Sequence, residues 1–458
     1  MRDPASPVLL RQFTQDGSYT TARLIDNALY LVTSRYDYRI MYSMPDKDSL
    51  LGILPAVCTH PLDEDWKTLP ADRITVLPHG DIANQTIISA LDTTDADKEP
   101  DVLSLIGSAG TVYASARFLY VAAWNSQQLT KDGTYVMETD IHRFELDQAT
   151  VREAGSGSVP GWMVNQFSMD EHAGYLRVAT TTGNGWTNEE NPSSNNLYVL
   201  DGQLRQVGKV TGMAAGETIK SVRFMGPQAY VVTFRTIDPL FVLDLSEPTA
   251  PSVLGELKIP GYSTYLHPYA ENMLLGFGFE VVADGNNLIH KGLKVALFDI
   301  SDFHNPREQS TLLLGGSGSF SEILYNHKSL MFSREREIIA FPACLTTRHT
   351  AQPLQQNGLC FQGLLMLGVN EDLQLFLQGS VSHSDKLNQP FGPAVPMDEK
   401  TSQAAYGYDA VYRAAFIGDR LYTFSGRQVL CSDLATTASI DQVELPGYDD
   451  ALSYMPVD

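Results

Sequence analysis

Basic residues are scarce in this sequence of 458 residues. Lysine and arginine number 32 against 54 aspartates and glutamates, which gives a formal net charge of −22. Binding to duplex nucleic acid needs a basic surface, so this balance argues against nucleic acid as a partner. Long apolar runs are also missing, because the longest uncharged one, Leu359–Val369, is about half the length of a membrane-spanning helix. We therefore expect no membrane span.

Cysteine is equally sparse. The chain has four cysteines and no CxxC pair, which excludes a disulfide-rich scaffold. Cys344 and Cys360 flank a polar loop between two apolar runs, so they could face each other across a hairpin. Two interpretations stay open, a disulfide in an oxidising compartment or two small buried hydrophobic side chains.

The residues that are present favour strands. Apolar residues alternate or cluster in runs of five to eight, rich in Val, Tyr, Phe, Leu and Thr, with turn dipeptides such as Asp-Gly and Gly-Pro between them. No stretch sustains a helical apolar period over four turns. The sequence therefore predicts an all-β protein with many short strands.

One sequence unit recurs. An apolar strand that ends in Asp or Asn precedes a turn, most copies follow a hairpin, and a further short strand comes after. Four strands per repeated unit are typical of the blades of a β-propeller, and we predict four-stranded antiparallel blades in a single domain, 1–458. The strand-ending residues are Asp92, Asp147, Asp201, Asp244, Asp299, Asn370 and Asp433.

Seven units follow from this repeat, and an eighth blade follows if the N-terminal strand belongs elsewhere. Asp3–Leu10 match Glu247–Leu254 at the end of a later unit, so residues 1–16 are predicted to be an outer strand of a preceding or of the last blade. For this reason we expect the chain to be a fragment of a larger protein. A loop is predicted at 384–405. The seven units are 17–108, 109–159, 160–216, 217–260, 261–316, 317–383 and 406–447.

Three long segments resemble a known family, the secreted bacterial and archaeal proteins with a C-terminal β-propeller domain. They are Asn165–Thr181, Arg223–Ser246 and Gly255–Tyr269. The resemblance implies the fold and a secreted or extracytoplasmic location, at the cell surface or in the periplasm, and it implies no reaction. The chain itself opens with the polar Met-Arg-Asp-Pro and shows no signal peptide.

Motifs for catalysis or metal binding are few. There is no Gly-x-Ser-x-Gly, His-Glu-x-x-His, P-loop or dinucleotide fingerprint. The acidic stretch with Asp92, Asp95 and Asp97 offers oxygens that Ca²⁺ prefers, although neither its spacing nor its composition is that of an EF-hand. It is interpreted either as a calcium site or as a solvated charge run, and no other cofactor is expected.

Arginines at equivalent turns give the sharpest site hypothesis. In this acidic chain, four of them are predicted to follow the second strand of their units, where they would form a patch for an anionic ligand or an acidic peptide. The alternative is that each pairs with a neighbouring acid. The predicted ligand-binding residues are Arg35, Trp124, Arg235, Asp238, Arg334 and Arg427.

The function favoured by these patterns is a monomeric, extracytoplasmic binding or scaffold module for a protein, a peptide or an anionic ligand. The rival is an enzyme, a glycan hydrolase or lyase, with paired carboxylates in a central funnel. Asp170, Glu217 and Asp238 are the carboxylates that would have to converge there. A third hypothesis is a structural or assembly role.

Overall fold

The computed structural model describes residues 6, 8–38, 54–59, 66–77, 81–107, 110–129, 135–183, 192–235, 238–284, 287–347, 358–395, 401 and 405–446. These residues form 32 strands in eight sheets, which confirms the all-β prediction. None of the described segments forms a helix with the length and apolar composition needed to cross a membrane. The chain divides into two compact units, Met1–Ala215 with Pro248–Ala250, and Gly216–Glu247 with Pro251–Asp458.

The first unit holds four sheets. A small sheet has the order β1-β4-β5, and a five-stranded sheet has the order β2-β3-β7-β8-β6, in which β6 pairs with β8 in parallel. Two four-stranded antiparallel sheets follow, β9 to β12 and β13 to β16. The strands are β1 Thr14–Gln15, β2 Ser18–Ile25, β3 Ala28–Tyr36, β4 Ala56–Cys58, β5 Lys67–Thr68, β6 Ile74–Val76, β7 Asp81–Asp92, β8 Asp101–Gly107, β9 Thr111–Ala114, β10 Phe118–Leu129, β11 Tyr135–Asp147, β12 Thr150–Pro160, β13 Met169–His172, β14 Tyr175–Thr182, β15 Ser194–Leu200 and β16 Gln206–Met213.

The second unit repeats one pattern four times. Each of its sheets has four strands in chain order, joined by antiparallel pairs. The strands are β17 Thr218–Met225, β18 Gln228–Phe234, β19 Asp238–Asp244, β20 Ser252–Ile259, β21 Tyr262–Ala270, β22 Met273–Asp284, β23 Asn287–Asp299, β24 Arg307–Leu314, β25 Met331–Ser333, β26 Ile338–Thr346, β27 Leu359–Val369, β28 Leu375–Val381, β29 Arg413–Ile417, β30 Arg420–Phe424, β31 Gln428–Asp433 and β32 Ser439–Glu444.

Successive sheets within a unit pack face to face, so their inner strands are buried on both sides. In β10, Leu119 and Val121 join a core shared with the preceding sheet, whereas Tyr120 and Ala122 join a core shared with the following one. Side chains alternate between the two faces of a strand. Burial on both faces explains why these strands are apolar at consecutive positions and not only at alternate ones.

Two glycines show how closely the strands and their neighbours approach. A Cβ at Gly278 in β22 would lie 1.7 Å from the carbonyl oxygen of Tyr262 in the adjacent strand. At Gly426, in the turn between β30 and β31, a Cβ would lie 2.7 Å from Cδ1 of Tyr408. Only a residue without a Cβ fits such positions without displacing its neighbour.

The pairing of the third and fourth strands is irregular in each of the six four-stranded sheets among the described residues. The register shifts once in five of these pairs and twice in the β15–β16 pair. In the β19–β20 pair, Val242 lies opposite Gly255 and Leu243 lies opposite Val253, so Leu254 is an extra residue. A bulge of this kind bends the strand and increases its local twist.

Each of the seven predicted units contains one large sheet, and their assignment to a single domain stays a prediction. The N-terminal segment differs from its predicted outer strand. Residues 8–13 belong to no strand, and Thr14–Gln15 pair with β4 in the small sheet. In the predicted loop 384–405, the described residues form no strand and make one isolated bridge, between Phe361 and Asn388.

Candidate functional site

A cavity of about 420 Å³ lies in the second unit, and five of the sixteen residues that line it are aromatic. Three parts of the chain form it: the loop between β24 and β25, the inner strands β26 and β27, and the segment that precedes β29. Its volume falls in the range of ~300–1,000 Å³ that is typical of ligand pockets. We call it the aromatic pocket. Its principal side chains are Phe320, Glu322, Tyr325, Tyr406, Tyr408 and Tyr412.

The loop between β24 and β25 is fixed to the edge of β26. Phe320 and Cys344 exchange two backbone hydrogen bonds of 2.9 Å each. The Ser321 hydroxyl donates to the Pro342 carbonyl at 2.5 Å and also accepts from the Ile323 N–H, which caps a short 3-10 helix, Glu322–Leu324. A serine cap of this kind satisfies an N–H that the helix leaves open. The loop therefore holds Phe320 and Glu322 in defined positions.

The segment before β29 is held by a buried glutamine. The Gln362 side chain, 4% exposed, donates to the Val411 carbonyl and accepts from the Val411 N–H, both at 3.0 Å. The Tyr408 carbonyl accepts from the Arg427 N–H at 3.0 Å. Polar groups that are buried and fully bonded make a rigid support. The tyrosines of this segment are therefore presented by a fixed backbone.

The aromatic rings of the pocket remain accessible. Tyr325 is 78% exposed and Tyr406 is 60% exposed. The rings of Phe320 and Tyr406 are nearly parallel, with an interplanar angle of 11° and centroids 5.7 Å apart. Partial burial raises the pKa of Tyr406 and of Tyr325. Both phenols are therefore neutral at pH 7 and offer a ring face together with a hydroxyl group.

Glu322 is the one carboxylate that lines the aromatic pocket among the described residues. Its Oε1 accepts from Nη1 of Arg413 at 2.9 Å and from Nδ2 of Asn326 at 2.6 Å. Its Oε2 accepts no hydrogen bond from the residues that the structure describes. The side chain is 23% exposed, so this second oxygen is half-shielded and open to a donor from outside.

Cys344 forms part of the pocket wall but is not a nucleophile there. Burial, with a smaller contribution from the nearby Cys360, raises the pKa of its thiol to about 12. Reactive cysteines have thiolate character and a lowered pKa, which this environment does not provide. The arrangement of one carboxylate, a neutral thiol and several aromatic rings suits binding.

We expect Cys344 to react slowly with iodoacetamide in the folded, reduced protein at pH 8. The rate should be on the order of 100-fold lower than in urea, because the thiol is buried and protonated. Peptide mass spectrometry after timed alkylation measures this rate, with the half-exposed Cys431 as an internal control. Alkylation of Cys344 as fast as that of Cys431 would contradict the assigned environment.

The predicted disulfide is not formed in the structure. Cys344 and Cys360 are both free and buried, on the adjacent strands β26 and β27. The register places Cys344 opposite Gln362, and the Cys360 thiol donates to the Leu345 carbonyl at 3.4 Å. Of the two interpretations, the structure holds two small buried side chains, and bridging under oxidising conditions stays a prediction.

The predicted arginine patch is divided among several local contacts. Arg35, in the first unit, forms ion pairs with Asp16 and Asp37 at 3.0 and 2.9 Å. In the second unit, Arg427 lies 3.6 Å from Asp409 and 3.8 Å from Glu444, and Arg235 is exposed after β18. Local acids thus occupy two of these arginines, as the alternative interpretation expected. Binding of an anion by these residues stays a prediction.

Arg334 was assigned to the wrong turn. It follows β25 and precedes β26, so it lies between the first and second strands of its sheet and not between the second and third. The cause is the long apolar run Ile338–Thr346, which forms the second strand and leaves Arg334 in the preceding hairpin. There it stacks 4.6 Å from the centroid of the Tyr269 ring and lies 4.0 Å from Glu337.

The remaining predicted ligand-binding residues are Trp124 and Asp238. Trp124 lies in β10 and is 62% exposed. Asp238 begins β19, and its side chain lies outside the described residues.

The other two carboxylates considered for catalysis have partners of their own. Asp170 forms an ion pair with Arg177 in the first unit. Glu217, in the second unit, accepts from the Thr233 hydroxyl, and burial raises its pKa.

The acidic stretch after β7 uses its carboxylates locally. Asp92 accepts from the Thr94 N–H and hydroxyl at 2.9 and 2.7 Å and pairs with Lys98 at 3.4 Å. The Thr94 hydrogen bonds lower the pKa of Asp92 to about 2. Asp95 accepts from the N–H of Asp97 at 3.0 Å. Among the described residues, no three His, Cys, Asp or Glu side chains group as metal ligands do. Calcium binding here stays a prediction.

The aromatic pocket was missed because its parts are far apart in the sequence. Arg413 and Glu322 are separated by 91 positions. One signal was nevertheless present, since three tyrosines lie within the seven residues Tyr406–Tyr412, in a segment without strand periodicity. Exposed aromatic residues that cluster in a loop indicate a binding surface more often than a core.

Four-stranded antiparallel sheets that pack face to face in chain order define a β-propeller protein. The chain belongs to the beta propeller domain family, whose model matches residues 1–437. This confirms the fold and the resemblance stated above.

Two archaeal proteins are similar to parts of this chain. The chain is 51% identical over 170 residues to an uncharacterized protein of Methanocaldococcus jannaschii, covering 37% of this chain and 25% of that protein. It is 43% identical over 213 residues to an uncharacterized protein of Archaeoglobus fulgidus, covering 46% and 31%. The chain thus spans less than a third of the length of these curated relatives.

Among solved structures, the WD40 domain of Neurospora crassa Pan2 matches 72% of this chain and 76% of its own, with 10% identity and a TM-score of 0.36.

Proposed function

We propose that this chain is an extracytoplasmic, non-catalytic binding module that holds a peptide segment of a partner protein in the aromatic pocket. The observation that carries the proposal is the group of partly exposed rings, led by Phe320 and Tyr406, on a backbone fixed by buried hydrogen bonds. Rigid, partly exposed aromatic side chains are the residues that dominate the free energy of protein interfaces. The proposed location rests on the family resemblance alone.

The composition of the pocket favours binding over the rival glycan hydrolase or lyase at this place. Hydrolysis by paired carboxylates needs two of them about 5–10 Å apart. The described lining of the pocket contains Glu322 as its only carboxylate, and Oε1 of that residue is already bonded to Arg413 and Asn326. A propeller fold by itself carries no reaction, so the site and not the fold supports the proposal.

Selection from a random peptide library displayed on phage tests the proposed function. We expect peptides enriched on the wild-type chain to bind it in solution, and to bind the Tyr406→Ala, Tyr408→Ala double variant at least about tenfold more weakly, because truncating interface aromatics costs upward of 1 kcal/mol each. Fluorescence anisotropy of labelled synthetic peptides measures the affinity.

Trp66→Ala is the matched control, because it removes an exposed aromatic residue of the first unit that belongs neither to the pocket nor to the predicted ligand-binding residues. It should not change peptide binding. The proposal is rejected if no peptide is enriched, or if the enriched peptides bind the double variant as well as they bind the wild-type chain. Circular dichroism and thermal unfolding establish that the variants are folded.

A further inference from the structure

We infer that the aromatic pocket accepts a lysine side chain from the segment it binds. This inference rests on the proposed function and adds the chemical class of the group recognised. It is carried by the cavity that Glu322 lines together with Phe320, Tyr325 and Tyr406, and by the charge of the chain. The lysine ammonium would lie between Oε2 of Glu322 and the ring faces of Phe320 and Tyr406.

The first step concerns the carboxylate. Arg413 and Asn326 both bond Oε1 of Glu322, at 2.9 and 2.6 Å, and they fix the orientation of the carboxylate plane. Oε2 has no hydrogen-bond partner among the described residues, although the side chain is only 23% exposed. A half-shielded carboxylate oxygen gains most from a charged donor, because such hydrogen bonds are about twice as strong as neutral ones.

The second step concerns the rings. A cation is attracted to the face of an aromatic ring within about 6 Å of its centroid, and several rings around a site form a cage for an ammonium group. Phe320 and Tyr406 lie nearly parallel, and Tyr325 stands beside Glu322 in the chain. The second unit already uses this contact within itself, since the Arg334 guanidinium lies 4.6 Å from the Tyr269 ring.

The third step separates lysine from arginine. A guanidinium binds a carboxylate most strongly through two parallel hydrogen bonds, one to each oxygen. Arg413 and Asn326 already use Oε1, so an incoming arginine could make only one of the two. An ammonium group is a compact charge that needs a single oxygen, and Oε2 can supply it although Arg413 already neutralises part of the charge of Glu322.

The fourth step identifies the source of the ammonium as a peptide segment. The cavity of about 420 Å³ is large enough for a ligand of drug size, so neighbouring side chains of the same segment can pack on Tyr408 and Tyr412. The chain carries a net charge of −22, which attracts a basic partner and raises the rate of encounter at low salt.

The experiment uses the phage-selected peptides on the whole chain. We expect one lysine position to recur among the enriched sequences. Synthetic versions of the strongest peptide, with lysine, arginine, norleucine or glutamate at that position, are then titrated against the wild-type chain and Glu322→Gln. Replacement of lysine by norleucine should weaken wild-type binding about tenfold, and arginine should fall between the two. Against Glu322→Gln, lysine and norleucine should bind within about twofold of each other.

Glu371→Gln is the matched control, because it removes the same charge from an exposed residue outside the pocket. This variant should keep the full preference for lysine. That result would show that lysine is recognised by Glu322 in the pocket and not through general attraction to an acidic protein. Glu322→Gln retains an acceptor for Arg413 and Asn326, so the loop is expected to keep its structure.

The outcomes of the two proposals are distinguishable. Enriched peptides that need Tyr406 and Tyr408 but show no preference for lysine would overturn this inference and leave the proposed function standing. A lysine preference that survives in Glu322→Gln would overturn it as well. Peptides that bind regardless of the two tyrosines would remove both proposals.

Discussion

Replacing Lys294 by methionine should destabilise the second unit by about 3 kcal/mol, since removing one member of a buried ionic group leaves uncompensated charges. Lys294 lies in β23 and is only 5% exposed. Its ammonium lies 2.8 Å from Glu308 and 3.5 Å from Glu280, and it donates to the Pro260 carbonyl at 2.9 Å. One cation thus forms ion pairs with two carboxylates and a hydrogen bond with one carbonyl, from three different parts of the chain.

Methionine is similar in length and removes only the charge and the three donors, so the loss does not come from a cavity. Lys258→Met is the matched control. Lys258 and Glu256 lie 3.1 Å apart in the exposed strand β20, with the lysine 62% exposed, and pairs of this kind contribute about 0–1 kcal/mol. Urea unfolding of both variants measures the difference. Equal loss in the two variants would show that Lys294 does not organise its surroundings.

Adding Glu280→Gln and Glu308→Gln to Lys294→Met should recover part of the loss, because the two remaining carboxylates no longer face each other without a cation.

The folded chain should lose stability as the pH falls from about 6.5 towards 4, because two partly buried histidines are held in the neutral form. Burial, together with the positive charges of Arg223 and His327, lowers the pKa of His267 to about 4. Burial also lowers the pKa of His383 to about 4, against an opposing effect of Asp409. The His383 Nε2 lies 2.8 Å from the Thr423 hydroxyl, and the Tyr265 hydroxyl lies 3.0 Å from His267 Nδ1.

The sign follows from proton binding. In the unfolded chain each histidine takes up a proton near pH 6.5, whereas in the folded chain it does so only near pH 4. Between these values the unfolded state binds more protons, so acid favours unfolding. The stabilisation is complete above pH 6.5 and falls as the pH approaches 4. At pH 5 each histidine should cost up to about 2 kcal/mol.

Urea unfolding of the wild-type chain at pH 7 and pH 5 measures this loss, and the variants His267→Gln and His383→Asn should each lose less between the two pH values. His304→Gln is the control, because His304 is exposed in the same unit. If His304→Gln flattens the pH dependence as much as the two buried variants do, the assignment to His267 and His383 is wrong.

The strands could be predicted from the sequence, whereas the aromatic pocket could not. Runs such as Ala229–Phe234 are apolar at consecutive positions. This pattern is typical of a strand in a sheet whose two faces are both buried. The residues that line a pocket follow no such regular pattern in the sequence. Phe320 and Tyr406 are 86 positions apart in the sequence, and their rings come into contact only in the folded chain. No local sequence pattern indicates this contact.

Arg334 shows the limit within a single repeat. Its tripeptide Phe-Ser-Arg resembles Thr-Phe-Arg at Arg235. From the local sequence alone, the two arginines are therefore predicted to lie at equivalent turns. They lie at different turns because β25 has only three residues, Met331–Ser333, and is easily mistaken for the second strand. Counting strands from tripeptides fails where a strand is this short.

The shifted register of the outer strand pair in the six four-stranded sheets of the described residues has a consequence for behaviour at high protein concentration. Six four-stranded sheets each end in an edge strand whose free N–H and C=O groups are a template for pairing with another chain. β32, in which every residue is exposed, is the most open of them. The irregular pairing recurs at each such edge and twists it out of the flat geometry that intermolecular sheets require. One device, used six times, protects a protein built from open sheets against aggregation.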